Sequence, residues 1–95
     1  MIRVDIGPRL VRSARKLGPE FVSKTEEILS NVAAHFGKSH RHAGVGLRKL
    51  GRKSYEARVH LDWRIVFILE EERLTAYDLM DHDRVRNWLR GRKGG

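Results

Sequence analysis

An α+β fold in the order β-α-α-β-β-β, with a mostly antiparallel twisted sheet and an N-terminal helical hairpin on one face, is what this sequence predicts. Three observations carry that expectation. Apolar residues recur at helical spacing through residues 8–36, and they alternate or run continuously through residues 55–79. Gly-Pro pairs punctuate the first part, and the acid-containing breaks Leu61-Asp62 and Glu70-Glu71-Glu72 punctuate the second. Ninety-five residues support one domain over 1–95, with a modest core and no room for a second domain or a large cofactor-binding fold.

Taken in order, Met1 to Ile6 alternates Ile2, Val4 and Ile6 with Arg3 and Asp5, the period of a half-buried strand. Gly7-Pro8 breaks it, and Pro8 suits the first turn of a helix whose Leu10, Val11, Ala14 and Leu17 share a face. That helix stops at Gly18. A second begins at Pro19-Glu20, where the acid complements the helix dipole, and carries Phe21, Thr25, Ile28, Leu29, Val32, Ala33 and Phe36 to a stop at Gly37. From Lys38 to Lys53 the chain holds six Lys/Arg and no acid, and reads as an exposed connection.

Tyr55 to Leu61 alternates Tyr55, Ala57, Val59 and Leu61 against Glu56, Arg58 and His60, a strand with one polar face. Trp63 to Leu69 is apolar except for Arg64, as expected of a central or doubly covered strand. Leu74 to Leu79 is the last strand. Asp81-His82-Asp83 then leads into a short basic tail in which Val85, Trp88 and Leu89 allow a helix. Depending on where the Leu61-Asp62 turn closes, Arg58 and Arg64 fall on one sheet face or on opposite faces.

With 20 Lys/Arg against 12 Asp/Glu the formal charge is +8, which makes a polyanion the first partner to consider and an acidic protein the second. No apolar run approaches the roughly 20 residues that span a bilayer, and the amino terminus lacks the blocks of a signal peptide, so no membrane partner and a cytoplasmic location are expected. The absence of cysteine excludes disulfides, thiolate catalysis and cysteine-ligated zinc.

The order of elements, LRKLG at Leu47 to Gly51, YEARV at Tyr55 to Val59, WRIVF at Trp63 to Phe67 and the His82-Asp83 pair after the last strand together resemble the RelE/ParE superfamily of bacterial and archaeal toxins, over nearly the whole chain. The resemblance implies a toxin of a type II toxin–antitoxin pair, neutralised by a cognate antitoxin protein. In the RelE-like branch it implies metal-free cleavage of mRNA in the ribosomal A site, with mRNA and ribosome as partners and no cofactor; in the ParE-like branch, poisoning of DNA gyrase. The shared fold does not choose between them.

Chemistry favours the first branch. Cleavage without metal needs the 2′-hydroxyl deprotonated, charge on the phosphate stabilised and the leaving 5′-oxygen protonated. Arg64 resembles the family's strand arginine, and its planar fork matches phosphate oxygens; Arg58 comes next. His82 occupies the position of the family's C-terminal histidine, and histidine is the side chain that exchanges protons near neutrality. Arg64, His82 and Arg58 are therefore the expected catalytic group. Arg48 and Lys49 would hold the substrate backbone or tune the histidine, with Arg52, Lys53 and Arg86 as further RNA contacts.

Plainer roles stand beside these. Arg58 and Arg64 could pair with Glu56, Asp62 or Asp78 across strands, and His82 could cap a strand end or pair with Asp81 or Asp83. The Lys38 to Lys53 segment could be a solvated face. Many active relatives carry a tyrosine immediately after, or a few residues beyond, the C-terminal histidine; here Asp83 and Arg86 stand there, and Trp88 suits a core anchor slightly better than a base-stacking ring. A catalytically silent RNA- or ribosome-binding module of the same fold is thus a further alternative. Gly46 to Ser54 nearly spells a phosphate loop, but an arginine intrudes before the lysine and no strand is expected ahead of it. His35, His40 and His42 have no acid nearby to complete a metal site.

Overall fold

Five strands form one mixed sheet in the order β1-β5-β4-β3-β2 in the computed structural model, which describes residues 3–36 and 46–92. The elements are β1 (Arg3–Ile6), α1 (Pro8–Leu17), α2 (Pro19–His35), β2 (Leu47–Lys49), β3 (Ser54–His60), β4 (Trp63–Glu70), β5 (Arg73–Asp81) and α3 (His82–Gly91). β1 runs parallel to β5; every other pairing is antiparallel. The expected α+β fold with its mostly antiparallel sheet and N-terminal helical hairpin is the one observed.

The hairpin forms where the Gly-Pro pairs place it. Pro8 and Pro19 open their helices at positions whose N–H would have no partner in any case. Gly18, at φ 122° and ψ 171°, is both C-cap of α1 and N-cap of α2, a conformation essentially reserved for glycine. Gly7 answers to a different constraint. Its N–H donates to the Ala76 carbonyl at 2.9 Å, and a Cβ at position 7 would lie 3.0 Å from the same oxygen.

Both helices bury one stripe on the sheet. Leu10, Ala14, Leu29 and Val32 meet Ala57, Val59, Ile65, Phe67, Leu74, Ala76 and Leu79 in the main core. The opposite face has its own cluster, in which Val85 of α3 covers Val66 and Met80, with Leu50, Tyr77, Trp88 and Leu89 around them. β4 is therefore central and covered on both faces, as its nearly continuous apolar run requires.

One feature departs from the sequence expectation. Within the segment taken for an exposed connection, Leu47–Lys49 is an edge strand, with Leu47 opposite Ala57, Arg48 opposite Glu56 and Lys49 opposite Tyr55. Three residues, two of them charged, are too few to show a period, and charge on an edge strand is a usual guard against unwanted pairing. The helix that Val85, Trp88 and Leu89 allow in the basic tail does form and runs for ten residues, started by Asp81, whose carboxylate accepts the Arg84 N–H at 2.8 Å. Ile2, Gly37, His40 and His42, which entered the sequence reading, lie outside the described residues.

Candidate functional site

The sheet register decides which cations meet. Arg58 of β3 stands directly opposite Arg64 of β4, and Arg64 opposite Met80 of β5. Arg58, Arg64 and Met80 thus share the face covered by α3, and Arg48, opposite Glu56, shares it too. β3 and β5 are two strand spacings apart, about 10 Å. From Met80 the chain continues through Asp81 into His82, the first residue of α3.

The two arginines do different things. Arg64 is 8% exposed, and its Nη1 donates to the carbonyls of His60 (3.3 Å), Leu61 (3.1 Å) and Trp63 (3.3 Å), binding the β3–β4 turn to its own strand. Its Nε lies 3.9 Å from Glu56 Oε1, and Arg48 Nη1 lies 3.8 Å from Glu56 Oε2. Glu56 is the buried acid that balances two cations. Of the plainer pairings expected for the strand arginines, the one between Arg64 and Glu56 exists. Arg58 is exposed, and no described residue engages its guanidinium in an ion pair.

His82 is exposed, and its backbone N–H donates to the Asp62 carbonyl at 2.9 Å. That contact attaches the start of α3 to the same turn that Arg64 clamps. Neither Asp81 nor Asp83 pairs with its ring: Asp81 is occupied as the helix cap. On the helix, Arg86 lies one turn beyond His82 and is exposed. Arg84 projects from the other flank and reaches Asp78 of β5 at 3.8 Å, so the flank carrying His82 and Arg86 is the one turned toward β4 and β3.

Five of the eight expected residues therefore lie on the face covered by α3 or on the flank of α3 turned to it: Arg48, Arg58, Arg64, His82 and Arg86. The other three do not. Lys49 alternates with Arg48 and falls on the helical-hairpin face of the sheet. Lys53, whose carbonyl accepts the Leu69 N–H, sits at the opposite end of β3, roughly 17 Å along the strand from Arg58. There it lines a shallow hollow with Arg3, Glu70, Glu71, Glu72 and Arg73. Arg52 lies in the bend beside it. Sequence reasoning missed Asp81 as the residue that sets His82, although an aspartate directly before a helix is a capping signal. Trp88 is an anchor, stacked on Tyr77 at 5.8 Å between centroids.

A five-stranded mixed sheet with a helical hairpin on one face and a C-terminal helix on the other is the architecture of the RelE-type toxins. The RelE chain in the archaeal RelE–RelB complex from Pyrococcus horikoshii OT3 is similar at a TM-score of 0.64 and 18% identity, covering 87% of this chain and 97% of that one. YafQ from E. coli is similar at 0.62 and 9% identity, covering 90% and 98%, and YafQ in the E. coli DinJ–YafQ complex at 0.61 and 12%, covering 90% and 98%. At these identities the likeness is one of fold. No family model matches the sequence, and no curated protein matches it.

Proposed function

We propose that this protein is the toxin of a type II toxin–antitoxin pair, and that it is a metal-independent endoribonuclease that cleaves mRNA in the ribosomal A site and so stops translation. The observation that carries the reading is the free Arg58 guanidinium on the sheet face, directly opposite Arg64 and two strands from the strand that delivers His82. The similar RelE and YafQ structures, two of them complexes with RelB and DinJ, support a toxin role and a cognate antitoxin as partner.

In this reading Arg58 takes two oxygens of the scissile phosphate and stabilises the charge that grows on them in the transition state. Arg64 keeps Nη2 for the same phosphate while Nη1 holds the turn, so its burial ranks it behind Arg58 for direct contact, the reverse of the order drawn from sequence. His82 transfers a proton, either from the 2′-hydroxyl or to the leaving 5′-oxygen. Arg48 and Arg86, on the two sides of this centre, hold neighbouring phosphates.

The test is mapping of mRNA 5′ ends in a bacterial cell-free translation reaction given the wild-type protein, Arg58→Ala, Arg64→Ala or His82→Ala. New ends within translated codons, unaffected by chelator and lost with Arg58→Ala and His82→Ala, are the expected result. An absence of cuts with wild-type protein overturns the reading. The burial of Arg64 favours one second reading, a silent RNA- or ribosome-binding module of the same fold; it predicts salt-sensitive ribosome binding with no new 5′ ends.

A further inference from the structure

The β3–β4 register shifts between Arg58 and His60, leaving Val59 without an opposite residue, and such an irregularity re-aims the side chains beside it. Strict alternation from Arg58 would return His60 to the face under α3. Its exposed ring lies instead against Phe21 of α2, with centroids 5.8 Å apart at 45°. Phe21 is in turn held edge-on by Trp63 at 5.9 Å. Phe21, His60 and the buried Val59 line a hollow of about 150 Å³ together with Glu20 and Lys24. Both charged residues are exposed, and no described residue engages either in an ion pair.

The shape and chemistry of this hollow define its occupant. Its volume is on the scale that admits one flat six-membered ring and not a peptide segment. Two aromatic side chains wall it, the surface on which an unstacked nucleobase is held. Lys24 supplies a donor and Glu20 an acceptor, the two kinds of group that base edges use and an aliphatic side chain does not. Position points the same way. β2 pairs only with Tyr55, Glu56 and Ala57, so among the described residues Arg58, Val59 and His60 form an open edge of β3. Arg58 and His60 lie at most roughly 7 Å apart along that edge, so a single strand with a phosphate on Arg58 brings its neighbouring base round the edge to His60. Under α3, the described rings Tyr77 and Trp88 are stacked on each other at 5.8 Å, with Arg9 over one and Arg92 over the other. The open aromatic surface beside Arg58 is therefore the one between Phe21 and His60.

We propose that this hollow holds one unstacked base of the RNA strand whose phosphate rests on Arg58, and so fixes the register of the strand for cleavage. The inference rests on the ribonuclease reading and adds a base subsite to it.

The test is a nuclear magnetic resonance titration of isotope-labelled protein with a 2′-O-methyl hexanucleotide of mixed sequence, which has no free 2′-hydroxyl and is not cut. Inorganic polyphosphate, which carries the charge without the bases, is titrated in parallel. The ring current of a stacked base is expected to move the Val59 methyl and His60 ring signals upfield with the hexanucleotide and not with polyphosphate. Affinity should fall about fivefold or more in His60→Ala and return in His60→Phe, which keeps a ring without a titrating nitrogen; circular dichroism establishes that each variant is folded. Arg58→Ala should weaken binding yet leave the shifts at saturation. The proposal is overturned if the Val59 signals stay in place, if polyphosphate moves them equally, or if His60→Ala binds as tightly as the wild type. Equal shifts from N-acetylleucinamide at the same concentration would make the hollow a pocket for a protein side chain, and the proposal fails. Because the hexanucleotide is not cut, the two readings separate: base-dependent shifts without new mRNA 5′ ends sink the ribonuclease reading alone, and new 5′ ends without those shifts sink the base subsite alone.

Discussion

Arg58 and Arg64 face each other across two strands, and their surroundings divide their labour. Arg64 is buried, satisfies three carbonyls of the hairpin turn and faces Glu56, which is itself 8% exposed. Removing the guanidinium leaves that acid short of its buried partner and the carbonyls without a donor. Arg64→Met should therefore lower the unfolding free energy by about 2–3 kcal/mol, read as a lower midpoint in urea. Adding Glu56→Gln should recover part of the loss, and a double variant as unstable as the single would show that the ion pair matters little. Arg58→Ala touches nothing in the fold and should change stability by less than about 0.5 kcal/mol while removing cleavage. This contrast makes Arg58 the cleaner probe of chemistry, since an Arg64 variant confounds activity with stability.

At the scale of the elements, the joints are as specific as the faces. Gly18 serves as the end of one helix and the beginning of the next at a φ of 122°. Gly18→Ala should cost about 1–3 kcal/mol, the strain of placing a Cβ in that region, even though open space surrounds the position. Thermal unfolding measures it, and an unchanged midpoint would mean that the elbow relaxes freely. The start of α3 is a second joint. Asp81→Ala deletes the cap at the Arg84 N–H and should cost about 1 kcal/mol. It should also slow cleavage more than that small loss explains, because His82 begins the helix that Asp81 caps. A rate equal to wild type would separate α3 from the chemistry. Legibility varied among these elements for a local reason. α1 and α2 extend over enough turns for their periodicity and their Gly-Pro boundaries to be read; β2, with three residues, carries no period, and α3 is legible from Val85, Trp88 and Leu89 while its start at Asp81 is not.

For the molecule as a whole, the two faces of the sheet define two cores of unequal size. Among the described residues α3 is the helix that covers the second, where Val66 and Met80 are almost fully buried. A chain ended at Asp81 should expose this cluster, bind a hydrophobic dye and lose cooperative unfolding; sharp unfolding of the truncated chain would show that α3 is dispensable to the fold. Arg58 and Arg64 belong to the face under α3, which His82 begins, whereas α1 packs its apolar stripe on the other face and meets residues of the first through Ser13 on Asp78 and Arg9 over Tyr77.

By itself the sequence determined the α+β class, the helical hairpin, the three long strands and the strongly cationic character, because periodicity, turn chemistry and net charge are carried by near neighbours in the chain. Arg58, Arg64 and His82 could be named from their residue types and from resemblance. Which of them meet, and which is free, was decided only in three dimensions. The β3–β4 register shifts between Arg58 and His60, and the β4–β5 register shifts between Val66 and Phe67, leaving Tyr77 without an opposite residue. Each such irregularity changes which side chains share a face, and no local pattern marks it. Lys49 and Lys53 lie close to Arg48 and Arg58 in the chain, yet alternation along β2 and the length of β3 carry them to another face and another end of the sheet. Glu56, one turn of the pleat from Arg58, pairs instead with Arg64 on the next strand, because a sheet sets neighbours by register rather than by distance along the chain.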